Sequence, residues 1–240
     1  MRADLRFWEL PFPFRAGYTL KSGGVHKEWG LNLGFNTAED INEVNANRRA
    51  YETALGSGLG FVYGNQIHSE RVLIVDKPGI YSEVDGFVTR EKNLVLNILT
   101  ADCLGILAYD PVHEVIGAFH AGWKGTRDQI LGKGLRLMEE LGAKARDIQV
   151  MFNPCIKVQS YEVGEEFRDF FPRGEFFQTR NKRSHFDLVR ANAFQLLPSQ
   201  LEKLLEDKEN TYESDFLYSY RRDAVKAGRF SNYIYMQKKD

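Results

Sequence analysis

Two histidines and one cysteine stand beside turn-forming residues, and their side chains could bind a metal ion. His68 ends the stretch NQIH, Cys103 ends LTADC and His120 ends GAFH. Each follows an apolar segment typical of a β-strand, and residues where strands give way to loops often carry function. Imidazole and thiolate suit zinc or copper, and three protein ligands leave a coordination position open for water or substrate. Separations of 35 and 17 residues fit no zinc finger, so position rather than spacing supports the site.

The same three residues allow other interpretations. A histidine or cysteine at a strand end is most often an ordinary packed or hydrogen-bonded side chain. Cys103 with a nearby histidine would also suit a nucleophile and its base, as in thiol hydrolases. No third group that would orient the base is visible in the sequence, so the metal site is the preferred interpretation.

Two aspartates are candidates for proton transfer beside this site. Asp102 directly precedes Cys103, and Asp85 precedes a glycine in EVDGFVT. Either one could be a general acid or base, or could accept a hydrogen bond from a ligating imidazole and orient it. Ordinary turn chemistry also explains an aspartate at either position.

Several cationic and aromatic residues are candidates for substrate binding. Trp123 could stack on a heterocycle, although an isolated aromatic residue more often packs in the core. An anion such as phosphate could be held by guanidinium or ammonium groups, for each of which a solvated surface role is the alternative. The candidates are Arg48, Lys124, Arg221 and Arg222.

The apolar pattern predicts the elements that must position these residues. A helix is predicted from Asp40, its N-cap, to Leu55, and Gly56 to Gly60 ends it. A second helix is predicted over Thr126–Leu141, and two more near Gly164–Phe171 and Asp187–Leu205, with a polar segment at Gln178–His185 between them. Short β-branched or aromatic strands are predicted at 61–68, 71–76, 86–90, 93–101, 104–110, 114–121 and 148–154, followed by a strand-rich C-terminal tail. Strict βαβ alternation is missing, which favours the α+β class over a doubly wound α/β fold.

The bulk composition excludes several classes of function. The chain of 240 residues is best interpreted as one domain, and its net charge of -1 gives no reason to expect nucleic acid or an anionic membrane as a partner. No apolar run approaches the roughly 20 residues that span a bilayer. The N-terminal stretch MRADLRFWEL lacks the apolar core of a secretory signal. Cys103 and Cys155 are expected to stay reduced, and a cytoplasmic location is expected.

Motifs along nearly the whole chain resemble those of a known family. NQIHSERV is similar to its Q-V-H segment, LTADCLGILAYDP to its A-D-C segment and FHAGWKGT to its H-A-G-W-R-G segment. FNPCIKVQSYEVGEE, SYRRDAVKAGR and the early SGGV match three more segments, in the family's order. The resemblance is to the purine nucleoside phosphorylase family once described as multicopper, laccase-like polyphenol oxidases, the YfiH or DUF152 group.

This resemblance implies a fold, a metal and an activity. The implied fold is a single α+β domain over residues 1–240, with mixed β-sheets flanked by helices, similar to the catalytic core of cytotoxic necrotising factor. The family's zinc ligands fall on His68, Cys103 and His120, with copper as the alternative metal. The implied reactions are phosphorolysis of adenosine, inosine and methylthioadenosine to the free base and ribose 1-phosphate, and deamination of adenosine. The implied partners are purine nucleosides and phosphate, and a monomer or dimer is expected.

The family's chemistry gives the candidate residues roles. Cys103, Asp102 and Asp85 would form the catalytic group, with one of the two aspartates moving the proton in deamination. Arg48 or Lys124 would hold phosphate, and Trp123 would contact the substrate. Lys124 stands where the family usually has arginine, which removes a bidentate fork. Glu83, Asn153 and the cysteine-free segment at Asn210–Thr211 are further departures, and none of them touches the three ligands.

Three alternative functions remain at the level of sequence. A copper-dependent polyphenol oxidase is one, although five histidines cannot supply the several clusters of a multicopper enzyme. A Cys–His amidohydrolase acting on cell-wall peptides is the second. The third is a non-catalytic binding protein in which the metal is structural.

Overall fold

The computed structural model describes residues 3–239, which form strands, α-helices and two short 3₁₀ helices. The strands are β1 (Ala3–Phe7), β2 (Phe14–Gly23), β3 (Gly60–Gly64), β4 (Val72–Ile74), β5 (Gly79–Tyr81), β6 (Gly86–Thr89), β7 (Leu94–Thr100), β8 (Leu104–Asp110), β9 (Val115–Ala121), β10 (Gln149–Phe152), β11 (Glu162–Val163), β12 (Phe177–Arg180), β13 (Arg183–Phe186), β14 (Leu205–Glu206) and β15 (Phe230–Met236). The α-helices are α1 (Ile41–Leu55), α2 (Trp123–Arg127), α3 (Ile130–Glu140), α4 (Phe167–Phe170), α5 (Leu188–Ala193), α6 (Pro198–Leu201) and α7 (Tyr220–Asp223). The 3₁₀ helices span Gly174–Phe176 and Ala224–Lys226.

Two six-stranded mixed sheets form the body of the molecule. The first has the order β1-β2-β15-β7-β3-β5, with β7, β3 and β5 parallel and the other pairs antiparallel. The second has the order β14-β10-β8-β9-β6-β4, with parallel pairs at its two edges. The strands β11, β13 and β12 make a small third sheet. The α+β class with mixed sheets, expected from the sequence, is therefore confirmed.

Apolar side chains fill the spaces between four layers. One cluster joins the two large sheets, where Leu96 and Ile234 of the first sheet meet Leu107 and Ile116 of the second. A second cluster packs the other face of the second sheet on α3 and α5. A third packs the outer face of the first sheet on α1 through Tyr51. The resulting order is helix, sheet, sheet, helix, in agreement with the prediction of mixed sheets flanked by helices.

Elements specified by local sequence agree with their predictions. Helix α1 begins after Asp40, whose carboxylate accepts the backbone N–H of Asn42 at 2.8 Å, and ends at Gly56. Strands β8 and β9 pair along their whole length, from Leu104 beside Ala121 to Asp110 beside Val115. Asp110 also accepts the N–H groups of Val112 and His113 and so shapes the turn between them.

Four predicted elements are wrong in extent. The strand predicted to reach His68 ends at Gly64, because beyond it the side-chain amide of Gln66 replaces backbone in pairing with Leu99. The helix predicted over 126–141 is broken at Gln129, whose φ of 63° leaves the helical region. The helix predicted near 164–171 covers only α4, and the one over 187–205 is split into α5 and α6, the latter beginning at Pro198.

Strand pairing over long distances in sequence explains what the pattern missed. Strand β2 pairs with β1 and β15, and β15 lies more than 200 residues later in the chain. The polar segment 178–185 is a hairpin of β12 and β13, turned at Asn181 and Lys182 with positive φ values of 48° and 64°.

Among the described residues, the helices are all too short or too polar to span a membrane.

Candidate metal centre and cleft

Asp85 organises the centre of the site. It directly precedes β6, which pairs antiparallel with β9, and this pairing sets it beside His120. Its Oδ1 lies 2.7 Å from Nδ1 of His120, and the His120 N–H donates to the Asp85 carbonyl at 2.7 Å. Both groups are buried. Because Nδ1 is engaged by the carboxylate, Nε2 is the nitrogen that His120 can present to a metal or to a thiol.

The same carboxylate shapes the loop that carries His68. It accepts the backbone N–H of His68 at 3.0 Å, and both the N–H and the hydroxyl of Ser69 at 2.7 Å. Burial alone would raise the pKa of Asp85, but the hydrogen bonds from His120 and Ser69 outweigh it and hold the pKa below its usual value. Asp85 therefore stays ionised with protein donors on both oxygens. This arrangement favours the orienting role over that of a general base.

His68 reaches the site from an irregular loop. Its φ of 61° is in the left-handed region, and its ring centroid lies 4.8 Å from that of His120 at an angle of 66°. Gln66 holds the start of the loop to β7 by accepting the Leu99 N–H at 2.8 Å and donating to the Leu99 carbonyl at 2.9 Å. The loop is thus fixed at one end by Gln66 and at the other by Asp85.

Cys103 lies where the chain passes from β7 in the first sheet to β8 in the second. The preceding Asp102 has a φ of 87° and is nearly buried. Its carboxylate accepts the Thr211 hydroxyl at 2.7 Å and the Arg221 N–H at 2.6 Å, and its carbonyl accepts the Ile156 N–H at 2.9 Å. Asp102 therefore joins the Cys103 turn to three residues that are remote in sequence.

The electrostatics of the three residues favour a thiolate. Burial opposes ionisation of Cys103, but His120 and His68 outweigh it and lower the pKa of the thiol to about 6. Burial would lower the pKa of His120, but the Cys103 sulfur and Asp85 raise it to about 9. The thiolate is the form that binds metals and also the form that acts as a nucleophile.

The three ligand atoms converge in one place. The ring nitrogens of His68 and His120 and Sγ of Cys103 all lie within 4.8 Å of one another. Zinc bonds of about 2.0–2.3 Å in a tetrahedron would put such atoms roughly 3.5 Å apart, which lies within that limit. Gly122 packs against the side chains of Cys103 and His68. A Cβ atom at this position would stand 2.9 Å from the Cys103 Sγ and 3.0 Å from the His68 Cδ2.

The site opens onto a cleft of about 1220 Å³. Trp123 and Arg48, two of the candidates for substrate binding, line this cleft. Lys124 lies outside the lining; its ammonium stands 5.6 Å from the centroid of the Trp123 ring at an exposed position. The Trp123 indole itself packs on Phe167 and Phe170, with ring centroids 5.2 Å apart in each case.

The two candidate arginines of the SYRRD motif have distinct environments. Arg222 donates to the carbonyls of four residues and pairs with Asp223, so its guanidinium holds together the loop before α7. Arg221 lines the cleft, donates to the Glu162 carbonyl at 2.7 Å and lies 5.2 Å from the centroid of the Tyr161 ring. Each of the two guanidinium groups donates to protein acceptors, so neither offers all of its N–H groups to an anion.

Three cleft residues received no role from the sequence. Tyr161 lines the cleft, and burial followed by the charges of Cys103 and Asp102 raises the pKa of its phenol. Arg229 also lines it, with Nη1 donating to the carbonyls of Ala227 and Gly228. Gln66 lines the cleft and holds the His68 loop. Tyr161 lies in the quoted motif YEV, Arg229 in AGR and Gln66 in NQIH. Membership of these motifs is the only feature of the sequence that points to a role for the three residues.

Comparisons with known proteins place this geometry in a family. The family model described as multi-copper polyphenol oxidoreductase laccase matches residues 15–237. The chain belongs to that family. It is 38% identical over 218 residues to a purine nucleoside phosphorylase of Deinococcus radiodurans, covering 88% of this chain and 85% of that one. A purine nucleoside phosphorylase of Mycobacterium tuberculosis is 33% identical over 228 residues, 91% of this chain and 90% of the relative.

Solved structures agree with this family assignment. The YfiH protein of Bacillus licheniformis matches with a TM-score of 0.86 at 27% identity, covering 93% of each chain. YlmD of Geobacillus stearothermophilus matches with a TM-score of 0.86 at 26% identity, covering 94% of this chain and 93% of the other. The resemblance to the YfiH group, first seen in short motifs, is therefore confirmed over the whole fold.

Proposed function

We propose that the protein is a zinc-dependent purine nucleoside phosphorylase with adenosine deaminase activity. The observation that carries the proposal is the convergence of His68, Cys103 and His120 at a cleft, in a chain whose relatives are named purine nucleoside phosphorylases. Adenosine, inosine and methylthioadenosine are the proposed nucleosides, and the proposed location is cytoplasmic. Two imidazoles and one thiolate suit either zinc or copper, and zinc is proposed because deamination needs an activated water and no change of oxidation state.

The proposed chemistry divides between the metal and the protein. A zinc ion held by His68, Cys103 and His120 would supply Lewis acidity and an activated water, the chemistry that deamination at C6 of adenine needs. Asp85 keeps His120 oriented, and Asp102 fixes the turn that presents Cys103. The exposed part of the Trp123 indole offers a surface on which a purine can stack.

Phosphorolysis makes separate demands on the cleft. An oxygen of phosphate must form a bond to C1′ of the ribose while the C1′–N9 bond breaks and its electron pair passes to the purine. The purine leaves with a proton that comes from the hydrogen phosphate, and ribose 1-phosphate is left as its dianion. Cationic side chains that line the cleft would place the phosphate and stabilise charge that develops in the transition state. Arg48, Arg221 and Arg229 meet that description in the structure.

The test is purified, zinc-loaded protein incubated with adenosine and phosphate. Adenine or inosine is expected by chromatography, and the variant His68→Ala is expected to lose both. His113→Ala is the matched control, because His113 stands outside the cleft and pairs with Asp110. Formation of neither product by protein shown to hold zinc would contradict the proposal. Phenol oxidation that appears only with copper and dioxygen would support an oxidase instead.

The geometry also supports a second candidate, a Cys–His amidohydrolase acting on cell-wall peptides. The specific observation is that Asp85 orients His120, which stands beside Cys103, so the third group missing from the sequence pattern is present. This candidate predicts that a chelator spares activity while alkylation of Cys103 abolishes it. Cys155 is fully buried, so alkylation is expected to be selective for Cys103.

A further inference from the structure

Arg48 is a nearly buried cation with no carboxylate in direct contact, and the charge of Glu52 acts on it only from a distance. It stands on the inner face of α1 with Val44, Asn47 and Tyr51, and only 7% of its surface is exposed. Among residues 3–239, none places a carboxylate oxygen within 4.0 Å of its nitrogens. Glu52, one turn along the helix, accepts a hydrogen bond from the Tyr63 hydroxyl at 3.3 Å. A buried charge without a partner is costly, so an unmatched arginine inside a cleft points to an anionic ligand.

Two aromatic rings hold the Arg48 guanidinium in a fixed plane. Its central carbon lies 3.6 Å from the ring centroid of Phe35 and 4.1 Å from that of Tyr63. Two rings at such distances must cover opposite faces, because one face has room for only one ring. Nε donates to the Leu33 carbonyl at 2.9 Å, whereas Nη1 and Nη2 donate to no described residue. The two free Nη atoms form the kind of rigid fork that binds two oxygens of a phosphate.

The other cations near the cleft are less available. Arg229 uses Nη1 for two carbonyls, and Arg221 uses Nη1 for the carbonyl of Glu162. Lys124 stands outside the cleft lining. Arg48 is thus the cleft arginine in the described chain that keeps both Nη groups free of protein acceptors.

Arg48 also lies apart from the three candidate ligands. Strands β3 and β7 pair in parallel with Val62 beside Leu96, which brings Tyr63 level with Asn97. Three residues of strand separate Asn97 from the end of β7 at Thr100, about 10 Å at the usual rise, and Cys103 lies beyond that end. In agreement, the charge of Cys103 affects the pKa of Arg229, whereas Tyr63 and Glu52 are the groups that affect that of Arg48.

We propose that the Nη groups of Arg48, stacked between Phe35 and Tyr63, form a preformed subsite for a phosphate group, separate from the His68–Cys103–His120 centre. This inference deepens the proposed phosphorolysis by naming where the oxyanion binds, and it rests on that function for the identity of the nucleoside. The nucleoside spans the distance between the two sites. The phosphate is either the inorganic co-substrate or a phosphoryl group on the substrate itself, since both present the same oxygens to the fork.

The experiment is calorimetric titration of the protein at constant ionic strength. The probes are inorganic phosphate, adenosine 5′-monophosphate and adenosine, with chloride as the reference anion. The wild type is expected to bind one phosphate per chain, and Arg48→Gln is expected to weaken this by at least about tenfold. Arg48→Lys keeps the charge but loses the two Nη groups, and its phosphate affinity is expected to lie between those of the wild type and Arg48→Gln. Arg49→Gln is the matched control, because Arg49 is the next residue of α1 and is exposed.

The outcomes separate the possible sources of the anion. If inorganic phosphate binds and adenosine binds alongside it, the anion at Arg48 is inorganic phosphate acting as the co-substrate. Binding of adenosine 5′-monophosphate without binding of free phosphate identifies a phosphorylated substrate. The subsite is overturned if neither phosphate binds the wild type above the chloride reference, or if Arg48→Gln and Arg48→Lys, shown to be folded by circular dichroism, bind both as the wild type does. Phosphate binding by Arg48 in a protein that converts no nucleoside would overturn the proposed function and leave the subsite standing.

Discussion

At the scale of single residues, Asp85 links two of the three candidate ligands. It orients the ring of His120 and accepts backbone N–H groups from the His68 loop through one carboxylate. An asparagine there would keep the size of the side chain but turn one acceptor into a donor that faces other donors. The expected result of Asp85→Asn is a zinc affinity lower by about 10–100-fold, measured by competition with a chelating dye.

The chain contains a matched control for this change. Asp110 is also fully buried and also binds a histidine, with its Oδ2 2.9 Å from Nδ1 of His113, but it stands outside the cleft. Asp110→Asn is therefore expected to lower stability without altering zinc affinity at the cleft, measured with one zinc ion per chain because Asp110, His113 and Asp147 could themselves hold a metal ion. Equal zinc affinity in Asp85→Asn and the wild type would show that Asp85 does not position the ligands.

Gly122 offers a second test with a single added methyl group. Its φ of -74° and ψ of 174° suit alanine, so Gly122→Ala adds no backbone strain. The new Cβ would press on Sγ of Cys103 and on the His68 ring, which must move by several tenths of an ångström. We expect zinc affinity to fall about tenfold, equivalent to about 1.4 kcal/mol. Gly174→Ala, where nothing lies within 4 Å of the new atom, should bind zinc as the wild type does.

At the scale of elements, the sequence predicts what local pattern determines. Helix α1 and the β8–β9 hairpin follow from apolar spacing, an N-cap aspartate and a turn aspartate, all within a few residues of one another. The site depends on contacts between distant segments. Asp102 meets Thr211 across 109 residues, and Asp85 meets His120 across 35. The candidate ligands and Asp85, as a group that could orient an imidazole, were thus predicted from short motifs, whereas the contact of Asp102 with Thr211 was not, because the two residues are far apart in sequence.

The contact of Asp102 with Thr211 fastens one wall of the cleft. Thr211 is fully buried and donates its hydroxyl to Asp102, while Arg221 of α7 donates its N–H to the other carboxylate oxygen. Thr211→Val keeps the shape but leaves a buried carboxylate oxygen without a donor, which costs about 1–3 kcal/mol. We expect a lower melting temperature and faster hydrogen exchange in residues 210–224. Thr211→Ser restores the hydroxyl and should recover most of the loss; identical behaviour of the two variants would refute this role.

At the scale of the whole molecule, the three candidate ligands join parts of both large sheets. His68 follows β3 of the first sheet, Cys103 lies at the crossing from β7 to β8, and His120 belongs to β9 of the second. The apolar clusters that hold these sheets together contain none of the three. The core therefore does not depend on the metal for its packing, which distinguishes this fold from small domains that zinc alone holds folded.

Removal of the proposed zinc ion is accordingly expected to leave the protein folded but less stable. Binding to the native state alone stabilises it by RT ln(1 + [L]/Kd), about 2.7 kcal/mol at a hundredfold excess over Kd. For a domain of this size each kcal/mol corresponds to about 2–4 °C, so adding zinc to chelator-treated protein should raise the melting temperature by several degrees. The same addition to His68→Ala should raise the melting temperature little, because one of the three candidate ligands is gone. Loss of near-ultraviolet circular dichroism on chelation would instead show that the metal is structural, since a catalytic ion bound at the rim of two packed sheets has no part in ordering their aromatic cores.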